Sequence, residues 1–188
     1  MRRLLGATLA AALFGQAQGA AQDLDALMAR LAQRQHGHVA FIETKYLAIL
    51  DRPVQSAGEL FYDAPDRLEK RTTTPRRESL LLEHGTLRMS VGRRERRLAL
   101  QDYPQIAPLI DSMRATLAGD RAALERNFTV EFTGTLEHWR LLLAPRDATL
   151  RQVVREIRID GEQDRLASIE IAQPDGDHSV MTLTAAEP

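Results

Sequence analysis

Cysteine is absent from this 188-residue chain, so it forms no disulfide and carries no lipid anchor attached through a cysteine. The fold must rest on core packing alone. A strong charge of either sign is also lacking: the formal net charge is −1, which argues against a nucleic-acid binder overall. Long apolar runs are missing beyond the first fourteen residues, so no later segment is suited to cross a membrane as a helix. Tryptophan occurs once, at Trp139.

What is present begins with Arg2 and Arg3, followed by an apolar run from Leu4 to Phe14 broken only by Gly6 and Thr8. Small residues come next, and Ala17-Gln18-Gly19 and Gly19-Ala20-Ala21 both fit a cleavage triplet. The run is too short to span a bilayer permanently, so residues 1–21 are predicted to be a cleavable secretory signal peptide and residues 22–188 the mature domain. The residues that surround a twin-arginine motif are missing, which points to general secretion. Cleavage leaves about 165–170 residues, an ordinary length for one domain. Loss of Arg2 and Arg3 takes the formal charge from −1 to −3.

Along the mature chain, Asp23 to Gln35 reads as an amphipathic helix, with Leu24, Leu27, Met28 and Leu31 at helical spacing. Asp23 and Asp25 suit the positive end of its dipole, and Gly37 is placed to close it. His38 to Leu50 is rich in β-branched and aromatic residues and predicts a long strand. A meander follows, over Ser56–Tyr62, Arg67–Thr74, Glu78–Glu83, Thr86–Val91 and Arg94–Leu100, punctuated by proline and glycine turns. Tyr103-Pro104 opens a helical insert in which Ile106, Leu109, Ile110, Met113 and Leu117 share a face, and Arg121–Arg126 forms a shorter helix. Strands resume over Phe128–Thr133, Glu137–Leu143, Val153–Asp160, Arg165–Ala172 and His178–Thr184. No linker or repeat divides the chain, so one domain is expected.

The strands are two-faced. Val153, Ile157 and Ile159 alternate with Glu156, Arg158 and Asp160, and Ala167, Ile169 and Ile171 alternate with Ser168 and Glu170. A sheet with one dry face needs helices over that face. The predicted helices are too few to cover a sheet this long, which leaves an apolar hollow.

The stretch from Ser56 to Pro75 carries more specific information. Two strands flank an Ala64-Pro65-Asp66 corner, Gly58 lies near the start of the first, and a Pro-Asp-Arg-Leu-Glu-Lys run spans Pro65 to Lys70. This block resembles the early hairpin of the LolA-like periplasmic lipoprotein and lipid carriers. Further pieces are similar in the same order: Phe41 in the first strand, Gly58-Glu59-Leu60-Phe61, Pro108-Leu109-Ile110, Leu143-Ala144-Pro145, Leu150-Arg151-Gln152 and the Asp160-Gly161 hairpin.

The resemblance implies an α+β fold, an unclosed antiparallel β-barrel with a helical lid. It implies a periplasmic, monomeric, non-catalytic carrier of acylated cargo, lipoprotein or other lipid. An inner-membrane transporter would load it and an outer-membrane acceptor would unload it. Phe41, Leu60, Phe61, Leu68, Leu109, Met113, Trp139 and Leu141 are then expected to line the cavity, although Trp139 fits a core position equally. Leu24, Leu27, Ile106 and Ile110 are expected in a lid whose helices part to admit cargo. In lipoprotein carriers the residue before the corner proline is commonly an arginine that holds the lid shut; here it is Ala64, and Arg67 is the candidate substitute. The physical case for a carrier is independent: at about 0.8 kcal/mol per methylene, exposing a sixteen-carbon chain to water costs about 12 kcal/mol.

Other clusters carry less. Arg93, Arg94, Arg96 and Arg97, with Arg76, Arg77 and Arg88 nearby, are either a solvated strand face or a docking patch for an acidic partner or anionic headgroups. His36-x-His38 lacks a third metal ligand, and Asp175, Asp177, His178 and Ser179 sit too close together in a hairpin turn to form a hydrolase triad. Neither a catalytic residue nor a metal or other cofactor is expected. The alternative function is a periplasmic lipid-sensing or protein-interaction domain of the same fold; an enzyme of lipid or glycan metabolism would need a convergent polar site in the hollow.

Overall fold

Short alternating runs separated by tight turns favour hairpins between sequence neighbours, and the structure consists of two such meanders joined into one sheet. The computed structural model describes residues 11–186, so the first ten positions of the expected signal peptide lie outside the described residues. The first meander holds β1 (His36–Tyr46), β2 (Val54–Asp63), β3 (Arg67–Thr74), β4 (Glu78–Glu83), β5 (Thr86–Val91) and β6 (Arg94–Ala99). The second holds β7 (Phe128–Gly134), β8 (Trp139–Pro145), β9 (Glu156–Glu162), β10 (Arg165–Ala172) and β11 (His178–Ala185).

The spatial order is β6-β5-β4-β3-β2-β1-β11-β10-β9-β8-β7, antiparallel throughout. Pairing of β1 with β11, from Val39 opposite Ala185 to Tyr46 opposite His178, joins the meanders. Strands β6 and β7 occupy opposite edges and do not pair among the described residues, so the barrel is unclosed. The chain must therefore cross from one edge to the other between them, and the crossing segment contains α2 (Ala107–Leu117) and α3 (Arg121–Asn127). This is the expected α+β class.

Four boundaries differ from expectation. The first helix, α1, runs from Ala11 to Leu31 in the uncleaved chain, so Asp23 and Asp25 lie within it; the expected removal of residues 1–21 would put them in its first turn. Asp25 also binds Arg121 at 2.7 Å and ties α1 to α3. Gly37 does not close α1; it belongs to β1, opposite Tyr62, and the helix ends in N–H bonds from Ala32, Gln33 and Arg34 to the carbonyls of Met28, Arg30 and Leu31. Strand β1 stops at Tyr46 because the Asp177 carboxylate takes the Ala48 N–H at 2.7 Å and Leu50 folds back onto the Leu47 carbonyl. Val153 lies outside β9, just after a 3-10 turn at Leu150–Gln152.

The core sits on the second meander. Leu24, Leu27, Met28 and Leu31 of α1 join Leu124 of α3 and the inner residues Phe128, Phe132, Leu141, Leu143, Ile157 and Ile159 in one buried cluster. Each such side chain contributes roughly 1.5–3 kcal/mol on burial. Ser112 and Thr116 of α2 are buried as well, and their hydroxyls bond to the Leu109 and Ser112 carbonyls of their own helix at 2.7 and 2.8 Å. Gly119, at φ +63°, ends α2 against α1; a Cβ there would lie 2.1 Å from the Met28 carbonyl oxygen. These contacts seat the helices on one half of the sheet and leave the inner face of the other half to α2 alone.

Candidate ligand cavity

Alternation along each strand and the register between strands decide which side chains face inward. Val39, Phe41 and Glu43 of β1 share the inner face with Leu60 and Tyr62 of β2, Leu68 and Lys70 of β3, Leu80 and Leu82 of β4, and Leu87 of β5. On the other side of β1, Leu183 and Met181 of β11 and Ile169 and Ile171 of β10 continue it. Between this wall and Ile110, Met113 and Leu117 of α2 lies a cavity of about 730 Å³. Its lining is mainly aliphatic, and its size falls in the range of about 300–1,000 Å³ usual for ligand pockets.

The structure divides the sequence-derived cavity residues. Leu60, Leu68, Met113 and the lid residue Ile110 line the cavity. Phe61 borders it, but its ring is engaged elsewhere: it stacks on His38 at 4.4 Å, with the Arg71 guanidinium 4.3 Å from its centre. Phe41 faces inward yet is only 2% exposed, and the Lys70 ammonium lies over its ring at 4.8 Å.

Three of the proposed lining residues pack in the core instead. Leu109 rests against the core cluster. Leu141 is buried between Ile159 and Phe132. Trp139 is buried with its indole N–H donating to the Gln163 carbonyl at 2.9 Å, and its ring occupies the space that a Cβ on Gly161 would need. Of the other lid residues, Leu24 and Leu27 are buried in the core, so α1 is anchored to the sheet, and Ile106 is half-buried at the start of α2.

Polar groups of the cavity escaped the sequence reading. Glu43 and Lys70 line it and pair with each other. Tyr62 lines it too, buried, and among the described residues its hydroxyl has no hydrogen-bond partner; burial pushes the phenol above its ordinary pKa, against the opposing pull of Arg114. A signal existed: Glu43 has the parity of Phe41 and Val39, and Lys70 that of Leu68.

Arg67 does not reach the lid. It faces the outer surface and binds Asp63 at 2.9 Å and Glu69 at 3.0 Å, within the first meander. Ala64 instead donates its N–H to the Gln35 carbonyl at 2.8 Å, fastening the corner to the α1–β1 connection. The arginine cluster is split. Arg94 and Arg96 stand opposite Val91 and Met89 on one face of β6; Arg97 stands opposite Arg88 on the other and binds Glu95 at 2.9 Å; Arg93 lies in the turn before the strand. His36 and His38 bind Asp63 and Glu59 at 2.9 and 3.0 Å, and Asp175 and Asp177 accept backbone N–H groups at the β10–β11 turn and its neighbour.

An open antiparallel sheet wrapped around an apolar hollow defines the half-barrel class of binding folds. Within it, the chain belongs to the outer membrane lipoprotein carrier protein LolA-like family, whose model matches residues 16–187. No curated protein matches the sequence. Among solved structures it is similar to a LolA superfamily protein of Nitrosomonas europaea, at 12% identity and a TM-score of 0.44 over 90% of this chain and 94% of that one. It is also similar to a chain of the MucA/MucB complex of Pseudomonas aeruginosa, at 14% identity and a TM-score of 0.48 over 88% of this chain and 58% of that one. A DUF1329 family protein of Desulfovibrio piger matches at 10% identity and a TM-score of 0.48, over 88% and 90%.

Proposed function

We propose that the protein is a periplasmic carrier that shelters acyl chains of a lipoprotein or another lipid on the way to the outer membrane. The observation that carries this reading is the cavity of about 730 Å³, lined mainly by leucine, isoleucine and methionine and left unfilled by the chain's own side chains. Exposing apolar chain to water costs about 25 cal/mol per Å², and a hollow of this lining recovers that energy without chemistry. Family membership supports the same reading.

In this reading residues 1–21 direct export and are removed, an inner-membrane transporter loads the carrier, and an outer-membrane acceptor receives the cargo from a monomer. The lid is α2, because α1 is held in the core while α2 lies over the cavity. Two tests bear on this. Protein purified from its native periplasm should carry lipid detectable by mass spectrometry, and a neutral fluorescent probe should bind saturably and be displaced by that lipid. Protein that neither retains lipid nor takes up the probe is not a carrier, and the lipid-sensing or interaction role then stands in its place. A crosslink tying α2 to α1 should block loading; undiminished uptake in the tethered form rules out the lid.

A further inference from the structure

An ion pair interrupts the apolar wall of the cavity. Lys70 has Leu60 and Leu80 as its cross-strand neighbours, and Glu43 follows Phe41 on the same inner phase of β1. Strand β2 separates the two, and its residue opposite Phe41 is Gly58, which presents no side chain to the wall. Lys70 reaches across that gap: its ammonium lies 4.8 Å from the centre of the Phe41 ring and donates to the Glu43 carboxylate. The same carboxylate accepts from the Ser56 hydroxyl at 3.3 Å and has the Lys45 ammonium 3.8 Å away.

Two features of this cluster point outward, to a ligand. The first is charge. Two ammonium groups share one carboxylate, so the cluster carries one uncompensated positive charge beside an aliphatic hollow. The second is donor capacity. An ammonium has three N–H donors, and Glu43 is the hydrogen-bond partner of Lys70 among the described residues. Stability does not explain the pair, because two apolar side chains of similar volume serve a buried wall equally well or better. A phosphate monoester carries between one and two negative charges at neutral pH and overshoots the balance, whereas a carboxylate meets it.

We propose that the cavity selects a long-chain carboxylate, with its hydrocarbon against Leu60, Leu68 and Leu80 and its charged end on Lys70. This rests on the carrier reading and narrows it, from a lipoprotein or another lipid to a free lipid whose chain ends in a single negative charge, since ester- and amide-linked chains are neutral. Neutral esters and alcohols of the same length leave the positive charge uncompensated and bind more weakly.

The test uses the mature protein at pH 7.5, loaded with the neutral probe N-phenyl-1-naphthylamine and titrated with palmitate, methyl palmitate or hexadecyl phosphate. Palmitate should displace the probe at a concentration about tenfold lower than methyl palmitate, as expected for a charge-assisted hydrogen bond that the ester cannot make. In the Glu43→Gln/Lys45→Met/Lys70→Met triple variant, which removes all three charges of the cluster, the probe should still bind and the two ligands should become equal. Equal displacement from the wild-type protein overturns the proposal without any variant, and so does a preference for hexadecyl phosphate. A palmitate preference that survives in the triple variant places the recognition elsewhere and overturns it too. Failure of the wild-type protein to bind the probe or any of the three ligands is a different result: it removes the carrier reading itself.

Discussion

Glu69 uses its charge to hold the outer face of the first meander. Its carboxylate is buried and accepts from Arg71 at 2.7 and 2.9 Å, from Arg67 at 3.0 Å and from Ser79 at 3.1 Å. Arg71 is the main cause that holds its pKa below the usual carboxylate range, against the opposing effect of burial. A carboxylate depressed in the folded state contributes stability that is present above its unfolded pKa, about 4.3, and lost as pH falls through the lower folded value. Melting temperature in the wild-type protein should therefore drop more steeply below that pH than in Glu69→Gln, and the variant should be less stable at pH 7 by about 1–3 kcal/mol. Parallel pH profiles would show that the charge contributes nothing. Tyr62 makes the opposite case. Removing a buried hydroxyl that lacks a partner among the described residues relieves a penalty of about 1–3 kcal/mol, so Tyr62→Phe should raise the melting temperature. Parity along a strand made the inner face readable residue by residue, but it did not tell cavity from core. Leu60 and Leu141 have the same chemistry and the same inward phase; they differ only in whether α1 lies above them.

Elements were easier to read than their roles. Each turn has a local cause, such as Gly85, Gly92 or the Pro174–Asp177 corner, and the strands between them follow from that punctuation. The ends of α1 were less legible, because helix propensity continues through the alanine-rich segment before Asp23. Its role as an anchor was not legible at all, since Leu24 and Leu27 suit a mobile lid as well as a fixed core. The fixed placement of α1 and the open underside of α2 carry a prediction about motion. Amides of α2 should exchange with solvent faster than those of α1 residues 24–31, and ligand should slow α2 selectively; equal protection in the two helices would contradict the lid. Gly119 joins the two helices at a point with no room. Gly119→Ala should cost about 1–3 kcal/mol, measured by denaturant unfolding, because a side chain there meets the Met28 carbonyl and a strained backbone.

For the molecule as a whole, the hollow is a property of coverage: among the described residues, three α-helices lie on a sheet of eleven strands. Counting helices against strands in the sequence was enough to anticipate it. Where it lies depends on which half the helices choose, and that follows from tertiary contacts such as Asp25 with Arg121, which no local pattern encodes. Filling the space should separate binding from folding. Leu82→Trp places a bulky indole in the hollow and should abolish probe uptake while leaving the cooperative unfolding transition in place; retained uptake would locate binding elsewhere. Saturating ligand should stabilise the wild-type protein by about 2.7 kcal/mol at a hundred times its dissociation constant, and the Leu82→Trp protein not at all.

The seam between β1 and β11 has a further consequence, for assembly in time. The earliest strand finds one of its two neighbours only in the last, so the sheet has high contact order and its completion belongs to the slow, millisecond-to-second regime. In the export proposed above, a chain delivered head first can form hairpins as it emerges, but its two meanders stay unjoined until the tail has followed.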